Sequence, residues 1–556
     1  LLPGGTSTAA SVALTTLNGD ANLRVNGSAS QVEARVSDVR LGGLSGTGGV
    51  RLEGTNTFAA SGQHTYAGTL SGPGALTLNG TGAQTFSASS VRTGSTSISG
   101  GGTVTMGTNT SLGSGAITVN GATLKAAAPL SLSNTLRIGS DGATFDTAGV
   151  SVTTTGSISA VSGNGGPVTI TGGGEWVRST SAAYAGGTTI TGGTTARITV
   201  GNALGLGTLR LDNGTVKANS STLTATNPTQ LGAGGGTLDA AGQLVIWSGG
   251  ISPVSGVNDG GLHVRGGGFV YLTQPNTYTG GTRITANTTA VVDTGAAFGT
   301  GPITLDSGII QPTQFVVGRA GIRLGAGGGR IDTAGQQVFW NFPITTAPGV
   351  TNDGGLTITG GGSFQLNAAS TYRGNTTLLA GTLNLTNTTG SATGTGSVLV
   401  QGGMLTGNGR IGSNALVSML MSSGSIAPGT GAGTLTFGGL GALAFHGGEL
   451  VMELGSQSDL ITFDTLGDRV RGYGTTLRIV PTAGFSPTQS YPIFSNVMDA
   501  GNLFAFASIV GVDPSLQPSV TYDAVQQSYV VSFIPSPGAV ALMGVGCVMA
   551  SRRRRG

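Results

Sequence analysis

The feature that most constrains the fold of this chain is a repeat of 93–94 residues, which three different markers follow in phase. The markers are the aspartates Asp146, Asp239 and Asp332, the glycine triplets 172–174, 266–268 and 360–362, and the tyrosines Tyr184, Tyr278 and Tyr372. The aspartates are 93 residues apart, whereas the glycine triplets and the tyrosines are 94 residues apart. Self-similarity at a fixed period is typical of proteins in which each unit packs mainly on its neighbours. The sequence therefore predicts a repeat array.

Short runs of alternating apolar and polar residues lie between Gly-rich turns, for example at 116–119, 208–211 and 302–305. An alternation with a period of two is typical of half-buried strands, and no long stretch has apolar residues at helical spacing. The chain is therefore predicted to be all-β. One solenoid turn takes roughly 20–30 residues, so we expect about four coils in each repeat. Parallel strands should then stack along the axis, with the repeated aspartates in equivalent turns about four coils, or ~19 Å, apart.

One segment of each repeat follows a common order: Gly-x-Thr-x-Ile, a Gly-rich turn, a strand, Ala-Leu-Gly-x-Gly, a strand, Asn-Gly and a last strand. The four copies are 94–126, 187–218, 281–310 and 374–405. They resemble passenger-associated transport repeats, also called autotransporter-associated β-strand repeats. The resemblance spans roughly residues 90–410, and it implies a right-handed parallel β-helix on a cell surface. The pore that follows such repeats in autotransporters is not expected here, so export requires other machinery.

Four regions are predicted from the order of these patterns. They are an N-terminal flank or cap at 1–42, the β-helix at 43–410, closing coils with a β cap at 411–534, and a tail at 535–556. Acidic and aromatic residues concentrate after residue 410. Such a change is expected at the end of a solenoid, because the open sheet edges of the last coil need a cover.

The tail combines a short proline motif, an uncharged stretch and a cluster of arginines. The motif is Pro535, Ser536 and Pro537, the uncharged stretch is 538–551, and the cluster is Arg552, Arg553, Arg554 and Arg555. The stretch has 14 residues, fewer than the ~20 that a spanning helix needs. We therefore predict a short hydrophobic helix that contacts the membrane transiently, with its arginines on the cytoplasmic side.

This order resembles the PEP-CTERM sorting signal of Gram-negative bacteria, with Ser536 where that family usually has Glu. The resemblance implies export from a Gram-negative cell, transient anchoring in the inner membrane and processing by an exosortase-like enzyme. The alternative is an ordinary C-terminal membrane anchor. Either interpretation places the bulk of the chain outside the cytoplasm.

Composition argues against several other classes of protein. Only 8% of the residues are charged, and four of the positive charges belong to the tail, so the net charge of +3 leaves −1 for the rest. A nucleic-acid-binding protein needs a basic surface, and none is expected. The single cysteine, Cys547, lies in the tail, so a disulfide framework is excluded.

No active site or cofactor site is predicted. His64, His263 and His446 are isolated from one another in sequence, so no spacing for metal ligands arises. The Gly-rich runs do not precede a helix and are expected to be corners, not nucleotide-binding loops. An enzyme that cleaves polysaccharides would need two carboxylates within ~5–10 Å. The repeated aspartates are expected instead to accept hydrogen bonds from turn amides, because a residue that recurs in every repeat serves the repeat.

Trp247 and Trp340 share one position of the repeat. An outward orientation would give two platforms for stacking on sugar rings, whereas an inward orientation would fill the core, which we favour. Together these observations predict a non-catalytic, structural or adhesive β-solenoid at the cell surface or in the extracellular matrix. The alternative is an extracellular protein that binds or cleaves polysaccharide.

Overall fold

The computed structural model describes residues 10–15, 22–26, 32–412, 419–438, 443–467, 470–499 and 501–534. The chain divides into two units, Leu1–Thr282 and Arg283–Gly556. Each unit consists of short strands that pair in parallel with the strands of the neighbouring coils. The predicted all-β parallel solenoid is therefore confirmed. The predicted boundaries at residues 42, 410 and 534 stay predictions.

The first unit contains five groups of paired strands. The first group is Ala10–Thr15, Val32–Ser37, Gly49–Glu53 and Leu70–Ser71. The second is Arg40–Leu41, Thr55–Phe58, Ala75–Asn79, Thr96–Ser99, Ile117–Val119, Leu136–Ile138, Ile158–Ala160 and Ala182–Ala183. The third, a twelve-stranded sheet, is Leu23–Val25, Leu44–Gly46, Gln63–Tyr66, Ala83–Phe86, Thr103–Met106, Ala122–Ala126, Ala143–Asp146, Val168–Thr171, Thr188–Thr191, Leu209–Asp212, Thr229–Leu231 and Ile251–Pro253. The fourth is Leu130–Leu132, Ser151–Thr154, Glu175–Arg178, Thr195–Ile198, Gly214–Ala218, Gly236–Asp239 and Leu262–Arg265, and the fifth is Thr222–Ala225, Leu244–Trp247 and Phe269–Leu272.

The second unit contains four such groups, the first of which begins at the last residue of the first unit. That group is Thr282–Thr285, Ile303–Asp306, Ile322–Leu324 and Ile344–Thr346. The next is Thr289–Val292, Gly308–Pro312, Gly329–Asp332, Leu356–Thr359, Thr376–Leu378, Val398–Val400, Met419–Met421, Leu443–Phe445 and Val470–Gly472. The third is Val316–Val317, Gln337–Trp340, Ser363–Leu366, Thr382–Leu385, Met404–Gly407, Ser425–Pro428, Glu449–Leu454, Thr476–Pro481 and Ser508–Val510. The fourth is Arg410–Ile411, Thr434–Phe437, Leu460–Gly467, Tyr491–Val497, Pro518–Asp523 and Ser528–Phe533.

In most of the described strands alternate residues point into the coil, where they stack on their counterparts in the neighbouring rungs. Ile190, Leu211 and Leu231, for example, are in register in three consecutive strands, and each is 0% exposed. Identical spacing of rungs places these side chains in contact along the axis. The apolar half of the two-residue alternation is thus buried, and the polar half, mostly Thr and Ser, faces outward.

Each repeat comprises four coils and one further side of the solenoid. In the first unit the strand Ala143–Asp146 belongs to the twelve-stranded sheet, and the fourth strand after it in that sheet is Thr229–Leu231. The equivalent of Ala143–Asp146 one repeat later is Gly236–Asp239, which lies in the next sheet along the coil. The expectation of about four coils is therefore correct, but the repeated positions do not share one face.

The second unit shows the same advance by one side. The strand Thr282–Thr285, which follows Tyr278, pairs in the group of Ile303–Asp306. Its counterpart one repeat later, Thr376–Leu378, pairs instead with Leu356–Thr359 in the next group.

A coil has three sides, since Ala143–Asp146, Ser151–Thr154 and Ile158–Ala160 lie in three different sheets before Val168–Thr171 returns to the first. Four coils and one further side are therefore four coils and a third.

A buried hydroxyl pair marks the same place in three repeats. The phenol oxygens of Tyr184, Tyr278 and Tyr372 lie 2.7, 2.6 and 2.5 Å from the hydroxyl of the threonine four residues later. These tyrosines are at most 4% exposed. A 3₁₀ helix, Gly201–Leu204 or Gly295–Phe298, follows in two of the repeats. The threonine of the first pair donates to the carbonyl of Leu204 at 2.6 Å, so the hydroxyl chain joins the two loops.

Arg92 takes the place of this tyrosine in the earliest copy. Its guanidinium donates to Thr96 Oγ1 at 2.6 Å and to the carbonyls of Leu112, Gly74 and Ser95 at 2.7, 3.0 and 2.7 Å. The residue is 0% exposed and has no ion pair in the part of the chain that the structure describes. Burial lowers the pKa of Arg92 to about 10.

Replacement of Arg92 by leucine is expected to destabilise the first unit. Leucine leaves the carbonyls of Leu112, Gly74 and Ser95 without the donors that the guanidinium supplies, which should lower the free energy of unfolding by about 2–4 kcal/mol. Urea denaturation is the measurement, and Arg137→Leu, at an exposed position of the same unit, is the control and should lose little. Equal losses in the two variants would contradict the anchoring role of Arg92.

The last sheet closes the second unit with antiparallel pairing. Ser528–Phe533 pairs antiparallel with both Tyr491–Val497 and Pro518–Asp523. Aromatic side chains pack behind it, among them Phe494, Phe504 and Tyr529, whose ring centroids lie 5.2–6.4 Å apart. This arrangement fits a cap, because antiparallel strands can end a stack without another coil.

Candidate functional site

The repeated aspartates cap turns. One carboxylate oxygen of Asp146, Asp239 and Asp332 accepts a hydrogen bond from the amide two residues later, at 2.8, 3.0 and 3.1 Å. The donors are alanines with φ of 48°, 50° and 49°, a left-handed conformation that such Asx turns favour. The other oxygen of each lies 3.0–3.4 Å from a basic side chain. The expected structural role of these aspartates is therefore confirmed.

Two further aspartates are buried at corners of the coil. Asp259 is 7% exposed, and its carboxylate accepts from the amides of Gly261, Thr279 and Gly280 at 3.0, 2.7 and 2.8 Å. The hydroxyl of Thr279 donates as well, at 2.9 Å. Burial alone would raise the pKa of Asp259, but these donors hold it below its usual range. The residue thus fastens the turn that follows Tyr278.

Asp353 repeats this arrangement in the second unit. It is 6% exposed and accepts from the amides of Gly355, Arg373 and Gly374 at 3.0, 2.7 and 2.8 Å, and from the hydroxyl of Thr346 at 2.6 Å. Burial again acts to raise the pKa, and the hydrogen bonds lower it below its usual range. A carboxylate held by four donors is an anchor and has no free oxygen for a substrate.

The strongest candidate for an acid is Asp459 in the closing part of the second unit. Burial, and to a smaller degree the carboxylate of Glu453, raise the pKa of Asp459 to about 6. Its oxygens accept from the amides of Gly433 and Glu453 at 2.8 and 2.7 Å, and the residue is 1% exposed. A general acid must reach the bond that it protonates, and this carboxylate faces the protein interior.

Metal ligands do not cluster in the described ranges, where no group of three or more His, Cys, Asp or Glu side chains could hold an ion. His64, His263 and His446 lie in different strands or loops. The sorting motif Pro535–Pro537, the stretch 538–551 and the arginines 552–555 lie outside the described residues, so the predicted helix and its processing stay predictions. Among the residues that the structure does describe, no helix is long and apolar enough to cross a membrane.

The two tryptophans point into the coil. Trp247 and Trp340 are each 1% exposed, so neither indole can stack on a sugar at the surface. Trp247 Nε1 donates to Thr229 Oγ1 at 3.2 Å. Trp340 Nε1 has no hydrogen-bond partner among the described residues, and position 322, the counterpart of Thr229, is an isoleucine. The core interpretation is the correct one.

Apolar side chains are exposed or half-buried in and beside the strands Val316–Val317 and Gln337–Trp340 of the second unit. We call Phe315, Val317, Phe339 and Phe342 the aromatic surface of the second unit. Phe315, Val317 and Phe342 are 51%, 37% and 39% exposed, and Phe339 is half-buried. The rings of Phe315 and Phe339 meet edge to face, with centroids 5.1 Å apart and an interplanar angle of 89°. Val317 and Phe339 are in register on neighbouring rungs.

Side-chain amides continue this face along the following rungs. We call Asn341, Gln365, Asn367, Asn384 and Thr386 the amide ladder. Phe339 is in register with Gln365, and Gln365 with Asn384. Gln365 Nε2 donates to Asn367 Oδ1 at 2.7 Å, and Asn384 Nδ2 donates to Gln365 Oε1 at 3.3 Å. Asn367 also bonds to Asn341 and to Thr386.

Reasoning from sequence missed the aromatic surface, because Val338, Phe339 and Trp340 are all apolar and their order does not tell which of them face inward. In the structure Val338 and Trp340 are buried, so Phe339 faces outward. An apolar residue on the outer side of an otherwise polar surface marks a candidate binding position.

Comparison with known proteins supplies a distant structural similarity. The crystal structure of the Haemophilus influenzae Hap adhesin is similar to this chain with 12% sequence identity and a TM-score of 0.26, covering 90% of this chain. The chain spans 64% of the length of that adhesin. No family model and no curated protein matches the chain.

Proposed function

We propose that this protein is a non-catalytic, adhesive or structural β-solenoid of the cell surface or extracellular matrix. The observation that carries the proposal is the contrast between the carboxylates, which bind the backbone, and the uncharged side chains on the outer faces. The buried and repeated carboxylates are engaged in hydrogen bonds with the backbone, whereas the outer faces carry columns of uncharged residues. Thr103, Thr123, Thr144, Thr169 and Thr189, for example, are in register on five consecutive rungs. Such a surface offers many weak polar contacts, which suits binding better than catalysis.

Export and sorting form the second part of the proposal. The protein leaves a Gram-negative cell through separate export machinery. An exosortase-like enzyme then reads the tail while 538–551 contacts the inner membrane. The support is the order of the proline motif, the uncharged stretch and the arginines in the sequence. The resemblance of residues 90–410 to passenger-associated transport repeats supports the same location.

Fractionation of the native protein tests the proposed location outside the cytoplasm. We expect the protein at the cell surface or in the medium, accessible to added protease. Replacing the four arginines 552–555 by neutral residues should misplace or over-secrete it, because they no longer hold that end at the cytoplasmic face. Unchanged localisation of this variant would contradict the sorting part of the proposal, and a protease-resistant pool in the cytoplasm would contradict the export part.

A polysaccharide-cleaving β-helix is the second candidate, and an activity screen separates it from the first. A panel of neutral and acidic polysaccharides is scored for retention of the protein and for chain cleavage. We expect no cleavage. Cleavage that disappears when a single aspartate is changed to asparagine would overturn the non-catalytic proposal.

A further inference from the structure

We propose that the aromatic surface and the amide ladder of the second unit together bind a neutral polysaccharide chain. The inference rests on the proposed adhesive function and names the ligand class of one face. Its first support is the pair of Phe315 and Phe339. Their edge-to-face contact at 5.1 Å fixes the two rings relative to each other, and half of Phe315 is exposed. A ring held in this way offers a π-face to the C–H groups of a sugar at little cost in side-chain entropy.

The second support is the chemistry of the adjoining rungs. Amide side chains both donate and accept hydrogen bonds, as sugar hydroxyls do. Gln365, Asn367 and Asn384 are half-buried and are held in one network, so their remaining donors and acceptors are oriented before a ligand arrives. The rungs repeat at about 4.8 Å, close to the length of one sugar ring in an extended chain. Successive rings can therefore meet successive rungs.

The third support is charge. The strands of this face contain no ionisable residue from Val316–Val317 through Gln337–Trp340, Ser363–Leu366 and Thr382–Leu385 to Met404–Gly407. The adjacent group of the same unit carries Arg330 and Asp332. An acidic polysaccharide would bury its carboxylates without a partner here, which is costly, whereas a neutral chain loses no ionic hydration. The occupant is therefore a neutral polysaccharide.

The first unit provides a matched comparison. Leu244, Ile246, Phe269 and Tyr271 face outward at equivalent or neighbouring positions, and Phe269 is 47% exposed. Phe269 is in register with Leu244, and Ile246 with Thr224 and Tyr271, so none of these partners is an amide. Phe269 thus resembles Phe315 in residue type and exposure but has no amide ladder beside it.

The test is a pull-down of the full chain on insoluble cellulose, insoluble β-glucan and starch, with alginate beads as the acidic probe. We expect retention on at least one neutral polysaccharide, with little change between low and high salt. The double variant Phe315→Ala/Phe339→Ala should weaken that retention about tenfold or more, and Gln365→Met/Asn384→Leu should also weaken it. Phe269→Ala should leave it unchanged. Thermal unfolding of each variant verifies that it is folded.

Several outcomes would overturn the inference. These are retention on alginate alone that salt abolishes, equal loss in Phe269→Ala, or loss of self-association instead of polysaccharide binding in the double variant. Adhesion of the wild type to whole cells without binding to any neutral polysaccharide would overturn this inference and leave the adhesive function intact. No adhesion to cells, matrix or polysaccharide would contradict both.

Discussion

Replacement of Asp353 by alanine is expected to lower the free energy of unfolding of the second unit by about 3–5 kcal/mol. The carboxylate is 6% exposed and satisfies three backbone amides, those of Gly355, Arg373 and Gly374, together with the hydroxyl of Thr346. A methyl group leaves those amides without acceptors in a place that water reaches poorly. Hydrogen exchange should then accelerate first at Arg373 and Gly374.

Asp332→Ala is the matched control for this variant. Its carboxylate accepts from one backbone amide, at 3.1 Å, and pairs with Arg330 at 3.4 Å near the surface. Such contacts contribute about 0–1 kcal/mol each, so the loss should be at most about 1–2 kcal/mol. Equal losses in the two variants, measured by urea denaturation, would contradict the role assigned to Asp353.

Asp353 should also make the stability of the second unit depend on pH. Because the folded pKa of Asp353 lies below its ordinary value of 3.8, its contribution to stability is fully present above that value. The contribution is lost as the pH falls through the folded pKa. The difference in unfolding free energy between the wild type and Asp353→Asn should therefore be constant near neutral pH and should narrow in acid. A difference that grows on acidification would contradict this assignment.

Truncation of Trp340 to alanine should lower the free energy of unfolding by about 3–5 kcal/mol, because it opens a cavity in the core. Polysaccharide retention per folded molecule should not change, since the indole is 1% exposed. Phe339→Ala, one residue earlier, should show the opposite pattern, with a small loss of stability and a loss of retention. A loss of retention in Trp340→Ala at a temperature where the variant is folded would contradict this division of roles.

Phe339 and Trp340 also show how much of the structure could be predicted from the sequence. The repeat and the alternation predicted coils, strands and the turn-capping aspartates, because these follow from local spacing. In Leu244–Trp247 and Val338–Trp340, however, successive residues are apolar. Where consecutive residues are all apolar, the two-residue alternation does not tell which of them point into the coil. Trp247 and Trp340 therefore stayed ambiguous, and the aromatic surface could not be located without the packing of the neighbouring rungs.

The advance of each repeat by one side of the coil could not be predicted from the sequence, for a different reason. The register depends on the summed lengths of about a dozen turns, and the offset between rung partners varies from 20 to 25 residues within one sheet. Small errors in the predicted lengths of these turns add up to more than the third of a coil that has to be determined. The buried position of Arg92 likewise emerged only when Thr96 and Leu112 were brought around it by two different coils.

The extra third of a coil sets a rule for how such a chain can grow. Duplication of one 93–94-residue segment within a unit would carry the side chains that follow it to the adjacent side of the coil, so a ligand site built on one side would be turned away from its former neighbours. Three tandem duplications, which add thirteen coils, would be needed to restore the original direction. Gene expansion in this architecture therefore tends to diversify the directions in which a motif is displayed. A designer who wants a straight row of identical sites should copy single coils, not whole repeats.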